Sequence, residues 1–198
     1  MDVYSNINTP YITSLCDRNG KTLKVMEDNS KLNDKLKTLQ LGQREFFSFT
    51  TGEGVKLNGY MVKPADFNVN KKYPVIIFQY SGPGSQQVVD SWSAGNMGGT
   101  LYEQYLAQEG FISVCVDGRG TGGRGAEFEK CTYLRLGLLE AKDQVETALY
   151  LGQQPYIDAT RIGIWGWSYG GFCTLMSMSE GRPVFAAGVA VAAPTSYR

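Results

Sequence analysis

Residues 166–170 read Gly-Trp-Ser-Tyr-Gly and fit G-x-S-x-G, the pattern that raises a serine hydroxyl on a sharp strand-to-helix turn, ready to attack a carbonyl. Such a hydroxyl is a weak nucleophile at neutral pH until a base takes its proton, and in this arrangement the base is normally an imidazole. Yet the 198 residues include no histidine. With 24 glycines in the chain the string alone is weak support, so its setting has to carry the reading. The β-rich run RIGIWGW before Ser168 and the helical run SYGGFCTLMSM from it supply the required strand and helix, the helix N-terminus aimed at a developing oxyanion. Ser168 as a simple N-cap of that helix is the alternative.

A second oxyanion donor is expected from a loop at the C-terminal end of a neighbouring buried strand, where open α/β sheets place their sites. The segment QYSGPGSQ, residues 79–86, follows such a run. Its Tyr80 could aim a phenolic hydroxyl at the oxyanion while the backbone N–H of Tyr169 supplies the other donor. Tyr80 as a core aromatic with a satisfied hydroxyl is the alternative. A third glycine segment, DGRGTGG, satisfies the dinucleotide spacing Gly118-x-Gly120-x-x-Gly123. A dinucleotide loop opens straight into a helix and is followed by an acid ending the next strand. Here Arg119 and Arg124 interrupt, the next clear helix starts near Leu136, and the next strand ends in Trp167-Ser168, so nucleotide binding is disfavoured.

These loops need a sheet to hold them, and the hydrophobic pattern predicts one. Strands over 44–50 and 55–63 joined by Gly52-Glu53-Gly54 read as a hairpin. The runs YPVIIF, FISVCVD, RIGIWGW and FAAGVAVAAP read as buried parallel strands. Helical spacing lies between them in GGTLYEQYLAQEG, with Leu101, Tyr105 and Leu106 on one side and Gly110 as C-cap, and in LGLLEAKDQVETALYLGQQ. Glu140, Asp143 and Glu146 on the latter read as a solvated or salt-bridged face. The predicted fold class is α/β: a mostly parallel sheet opened by an antiparallel hairpin. Residues 1–40 are polar and turn-rich, with a small hairpin at Asn19-Gly20 and a short helix after Asn29, and read as a separate element.

Bulk composition narrows the classes of function. The chain is 42% hydrophobic and 19% charged, with 19 basic and 19 acidic side chains, as a globular protein is. Zero net charge leaves no electrostatic footprint for nucleic acid. Cys16, Cys115, Cys131 and Cys173 are scattered without a C-x-x-C pair, so no metal or other cofactor is expected, and Cys115 and Cys173 read as small core residues. The longest apolar run, 184–193, is too short to span a bilayer.

Taken in order, KKYPVIIFQYSGPGSQ, VDGRGTGGRG, LGLLEAKDQVETA and RIGIWGWSYGGF resemble the catalytic domain of the prolyl oligopeptidase family of serine peptidases, most of all its dipeptidyl peptidase IV branch. The resemblance implies an α/β-hydrolase fold, Ser168 as nucleophile, and Tyr80 and the Tyr169 amide as oxyanion donors. It implies a peptide substrate that loses an N-terminal dipeptide with proline or alanine second. Tyr169, Pro194 and Tyr197 would help wall the pocket for that second residue. It also implies that residues 1–40 are the end of a β-propeller-type region and linker, and residues 41–198 the N-terminal part of the catalytic domain. In this fold the triad runs serine, acid, histidine along the chain. The acid, the histidine and the rest of the hydrolase domain are therefore expected beyond Arg198, most of the propeller is expected elsewhere in the parent protein, and this chain alone is expected to be inactive. Members of the branch suggest a periplasmic, extracellular or cell-surface location. A last strand left at a sheet edge favours self-association and keeps a homodimer open. Two other readings stay open: a non-catalytic binding domain whose histidine has been lost, and a related esterase.

Overall fold

A computed structural model of the protein describes residues 1–92 and 99–196. The chain starts with β1 (Asp2–Asn6), β2 (Thr9–Cys16) and β3 (Thr22–Glu27), which form an antiparallel sheet of their own, followed by α1 (Ser30–Lys37). The predicted Asn19-Gly20 turn joins β2 to β3. Gly20 sits at φ 81°, and the Asp17 carboxylate accepts from the N–H groups of Asn19 and Lys21 at 2.8 and 3.0 Å. The pattern reading missed β1, because a five-residue strand with a largely exposed surface carries no buried alternation.

The second sheet holds the rest. Its strands are β4 (Arg44–Thr50), β5 (Lys56–Val62), β6 (Tyr73–Phe78), β7 (Ile112–Asp117), β8 (Ile157–Trp167) and β9 (Ala187–Val191), in the order β4-β5-β7-β6-β8-β9. The β4–β5 hairpin is antiparallel and meets β7 antiparallel, and all further pairings are parallel. The helices are α2 (Gly99–Gln108), α3 (Ala126–Lys130), α4 (Leu138–Gly152) and α5 (Tyr169–Met178). Every residue of β7 is buried, as expected of a strand covered on both faces. Val75, Ile77, Ile112, Val114, Ile162 and Ile164 from the three central strands form the core with Leu57 and Leu151. Each such side chain contributes roughly 1.5–3 kcal/mol by leaving water. β9 stands at one edge of the sheet among the described residues, with Val189 58% exposed.

Two helices face differently from their predicted patterns. On α2, Leu101 and Tyr105 are exposed, whereas Glu103, Gln104, Leu106 and Ala107 are buried. The polar pair can go inward because partners wait there. Arg44 on β4 pairs with Glu103, the Tyr60 hydroxyl donates to Glu103 at 2.6 Å, and the Gln104 amide exchanges two hydrogen bonds with the Gly42 backbone. On α4, Glu146 is salt-bridged to Arg182 and Asp143 to Arg119 as read, although Asp143 is fully buried, whereas Glu140 is fully buried and neither solvated nor salt-bridged among the described residues. Gly110 caps the end of α2 at φ 84°, and Cys115 and Cys173 are core residues as predicted.

Candidate active site

Because β6, β8 and β9 run parallel, their C-terminal ends open on one side of the sheet. A non-glycine residue with positive φ follows each: Ser81 at 58° after β6, Ser168 at 55° after β8, and Ala192 at 47° after β9. L-residues adopt such angles only where the surroundings force them, and clusters of them mark functional sites.

Ser168 is the middle one, with φ 55° and ψ −118°, between the last residue of β8 and the first of α5. Its side chain makes no capping bond to the helix, so the plain N-cap reading fails. It is exposed, and its N–H donates to Val191 O at 2.8 Å, fastening the turn to β9. The flanking glycines are needed for space. A Cβ on Gly166 would lie 2.5 Å from Gln79 O, and one on Gly170 would meet the same oxygen at 2.5 Å and Tyr80 Cα at 3.0 Å.

Those contacts bring the end of β6 against the turn. The Gln79 side chain, fully enclosed, donates to Gly170 O at 2.5 Å and to Thr174 Oγ1 at 3.0 Å, so the start of α5 is bonded to the residue before Tyr80. Tyr80 is half-buried, and its ring lies 6.2 Å from that of Tyr169, centroid to centroid. Tyr169 opens α5, and the amides of a helix's first turn point out of its N-terminal end, where partial positive charge collects. Ser168 and the adjoining start of α5 therefore lie against the segment that carries Tyr80, two stretches of chain distant in sequence.

The Tyr169 side chain is held from behind. Its hydroxyl donates to Glu140 Oε1 at 2.7 Å, and both groups are buried. Burial pushes the Glu140 carboxyl above its usual range, and the Tyr169 hydrogen bond opposes that rise. Asp143, one turn further along α4, is also pushed up by burial and opposed by Arg119, whose guanidinium and backbone N–H all donate to it at 2.7–3.1 Å. Asp117, at the end of β7, is pushed up to about 6 by burial, opposed by amide donors from Val88 and Gln87. The sequence reading missed Asp117, Glu140 and Asp143 as organisers of this end of the sheet. The one available signal was the interleaving of small residues with the acids of α4, since a helix with Ala141, Thr147 and Ala148 on the same side as its acids packs closely there.

A cleft of about 860 Å³ opens beside α5, lined in part by Pro83, Leu136, Leu138, Phe172, Thr195 and Ser196. It reaches the residues after Pro194, which is itself half-buried. Tyr197 lies outside the described residues. Among those residues no group of three or more His, Cys, Asp or Glu side chains is placed to hold a metal ion, and no helix is long and apolar enough to cross a membrane.

The sequence model of the prolyl oligopeptidase family matches residues 100–198. The chain is 34% identical over 198 residues to a probable dipeptidyl peptidase 4 of Aspergillus flavus, covering 98% of this chain and 25% of that protein. It is 39% identical over 177 residues to a probable dipeptidyl-aminopeptidase B of Arthroderma otae, covering 88% of this chain and 18% of that protein. Among solved structures, dipeptidyl peptidase 4 of Porphyromonas gingivalis matches with a TM-score of 0.90 and 48% identity over 96% of this chain and 26% of that one. A putative dipeptidyl aminopeptidase IV of Bacteroides ovatus matches with a TM-score of 0.84 and 35% identity, again over 96% of this chain. The architecture is thus that of an α/β-hydrolase, and the chain spans 18–25% of the length of these curated relatives.

Proposed function

The chain belongs to the prolyl oligopeptidase family, and on that premise we propose that it carries the nucleophile and oxyanion hole of a serine peptidase that releases N-terminal dipeptides, with proline or alanine in second place. The observation that carries the reading is the strained, exposed Ser168 with Tyr80 and the start of α5 beside it. Ser168 attacks the carbonyl carbon of the second residue, and the C–N bond to the third residue breaks, so that the shortened peptide leaves as an amine. The Tyr80 hydroxyl and Tyr169 N–H receive the oxyanion, whose charge is stabilised by donors held in place beforehand. An acyl-enzyme on Ser168 follows, and water releases it. Tyr169 and Pro194 help wall the pocket for the second side chain in this reading. The proton of Ser168 needs a base and these 198 residues hold no histidine, so in this reading the imidazole comes from a residue other than these. The separate sheet β1–β3 with α1, covering residues 1–40 in this reading, serves as the end of a propeller-type region and linker.

Glycyl-prolyl p-nitroanilide tests this. The product of the full open reading frame is expected to hydrolyse it and to lose that activity on Ser168→Ala. The 198-residue chain alone is expected to leave it intact. Turnover by the 198-residue chain that Ser168→Ala abolishes would overturn the need for an outside base. The missing histidine favours a second reading, a binding domain without catalysis, and a full-length product that binds Gly-Pro peptides without cleaving them would establish it.

A further inference from the structure

The glycine-rich segment 117–123, which is followed within three residues by the five-residue helix α3, earlier than the helix expected near Leu136, and by no acid at the end of β8, lies against the loop that carries Tyr80. Gly84 N–H donates to Gly120 O at 3.0 Å, and Gly122 N–H donates to Ser85 O at 2.8 Å. The buried Asp117 carboxylate accepts from Gln87 N–H at 3.0 Å and from Val88 N–H at 2.8 Å. The approach leaves no room for side chains on the glycines: a Cβ on Gly122 would sit 2.8 Å from Gly84 O, and one on Gly123 would sit 2.6 Å from the Gln86 side chain. The segment is itself fixed from beneath, since Arg119 N–H donates to the enclosed Asp143 at 2.7 Å and the Arg119 guanidinium grips the same carboxylate.

We infer that residues 117–123 form a cradle that sets the position of the Tyr80 hydroxyl, with Asp117 and Gly122 as positioning residues. The inference rests on the reading of Tyr80 as an oxyanion donor. Residues 81–88 have no helix or strand of their own, and beside the Ser85–Gly82 turn bonds and the Gln144 amide on Ser81 Oγ, the bonds to the cradle fix their path. The link to the phenol is direct, because the Tyr80 ring rests on the Gly82 backbone, where a Cβ would run into it. A shift of the loop therefore moves the ring. Oxyanion donors work only when held within about 0.5 Å of the productive position.

The test uses the full open-reading-frame product and glycyl-prolyl p-nitroanilide, with kcat and KM measured for Gly122→Ala, Asp117→Ala and Asp117→Asn, each with Tyr80 intact and with Tyr80→Phe. Tyr80→Phe alone is expected to lower kcat about 10²-fold, the usual effect of losing one donor. Gly122→Ala and Asp117→Ala are expected to lower kcat about tenfold and leave KM within about twofold, as loss of an interaction made in the transition state does. Asp117→Asn keeps an acceptor oxygen for the two amides and is expected to restore most of the rate. In the Tyr80→Phe background the cradle substitutions are expected to change kcat by less than about twofold, because coupled residues are not additive. If they lower kcat tenfold again there, or leave it unchanged with Tyr80 intact, the cradle inference is overturned while the oxyanion reading stands. If Tyr80→Phe alone keeps the full rate, the oxyanion reading falls and takes the cradle with it. Should Gly122→Ala fail to fold, the Asp117 pair decides.

Discussion

Replacing Ser168 by glycine is expected to stabilise the fold, although it removes the proposed nucleophile. The serine holds φ 55° with ψ −118°, outside even the small left-handed region that L-residues visit. A residue held in so sparsely populated a conformation costs on the order of 1–3 kcal/mol. Glycine adopts positive φ without that cost, but loses about 0.5–1 kcal/mol more chain entropy on folding. The hydroxyl caps nothing, so no capping bond is lost in exchange. The net gain is about 1 kcal/mol. Ser168→Ala provides the control, since it also removes the hydroxyl but keeps the Cβ that causes the strain. In urea, with a slope of about 2 kcal/mol per M, glycine is expected to unfold at a midpoint about 0.5 M above alanine. A glycine midpoint at or below that of alanine would show that Ser168 is not strained, and the main support for its role as nucleophile would go with it.

Two further outcomes follow from the buried charges. Arg119→Met leaves the Asp143 carboxylate fully enclosed without its cation, and breaking such a pair typically costs about 3–5 kcal/mol. The double substitution Arg119→Met with Asp143→Leu is expected to recover most of that loss in the same urea titration, and failure to recover would mean that the pair does more than neutralise itself. The second concerns pH. Asp117 titrates at about 6 in the folded protein against an ordinary 3.8, so the fold binds its proton more tightly than the unfolded chain does. Its contribution to stability is therefore fully present below about pH 4 and lost as pH rises through about 6, by up to about 3 kcal/mol at 1.36 kcal/mol per unit. Stability measured at pH 4.5 and 7.5 is expected to fall more across that interval in the wild type than in Asp117→Asn, and equal changes would refute the assignment.

The alternation of strand and helix was legible because strands buried on both faces read as unbroken apolar runs, as in YPVIIF and FISVCVD. That Ser168 and Tyr80 lie just past strand ends was legible for a related reason, since each closely follows such a run. What hydrophobicity could not show was which polar groups had partners. Glu103 and Gln104 face inward on α2 because Arg44, Tyr60 and Gly42 meet them, and those partners lie at least 43 residues away in sequence. Glu140 and Asp143 are the same case on α4, answered by Tyr169 and Arg119. The cradle was hidden differently. Its glycines fit a familiar spacing for the wrong ligand, and what they admit is the protein's own backbone at Gly84 and Ser85.

Strain at the strand ends argues that the site is assembled before any base arrives. Ser81, Ser168 and Ala192 each hold a positive φ, at about 1–3 kcal/mol apiece, in a fold whose total stability is of order 5–15 kcal/mol. Packing alone gives no reason to keep three such residues on one side of one sheet. A turn that lifts a hydroxyl clear of the sheet does, and so does a loop that must fold Tyr80 back over Gly82. The bonds that impose these angles run sideways between the loops: Ser168 N–H to Val191 O, the Gln79 amide to Gly170 O, and Gly84 N–H to Gly120 O. None of them involves a histidine or a triad acid. Ser168, Tyr80 and the start of α5 are therefore fixed relative to one another by bonds among the described residues, and in the proposed reading a base has only to reach an alignment that already exists.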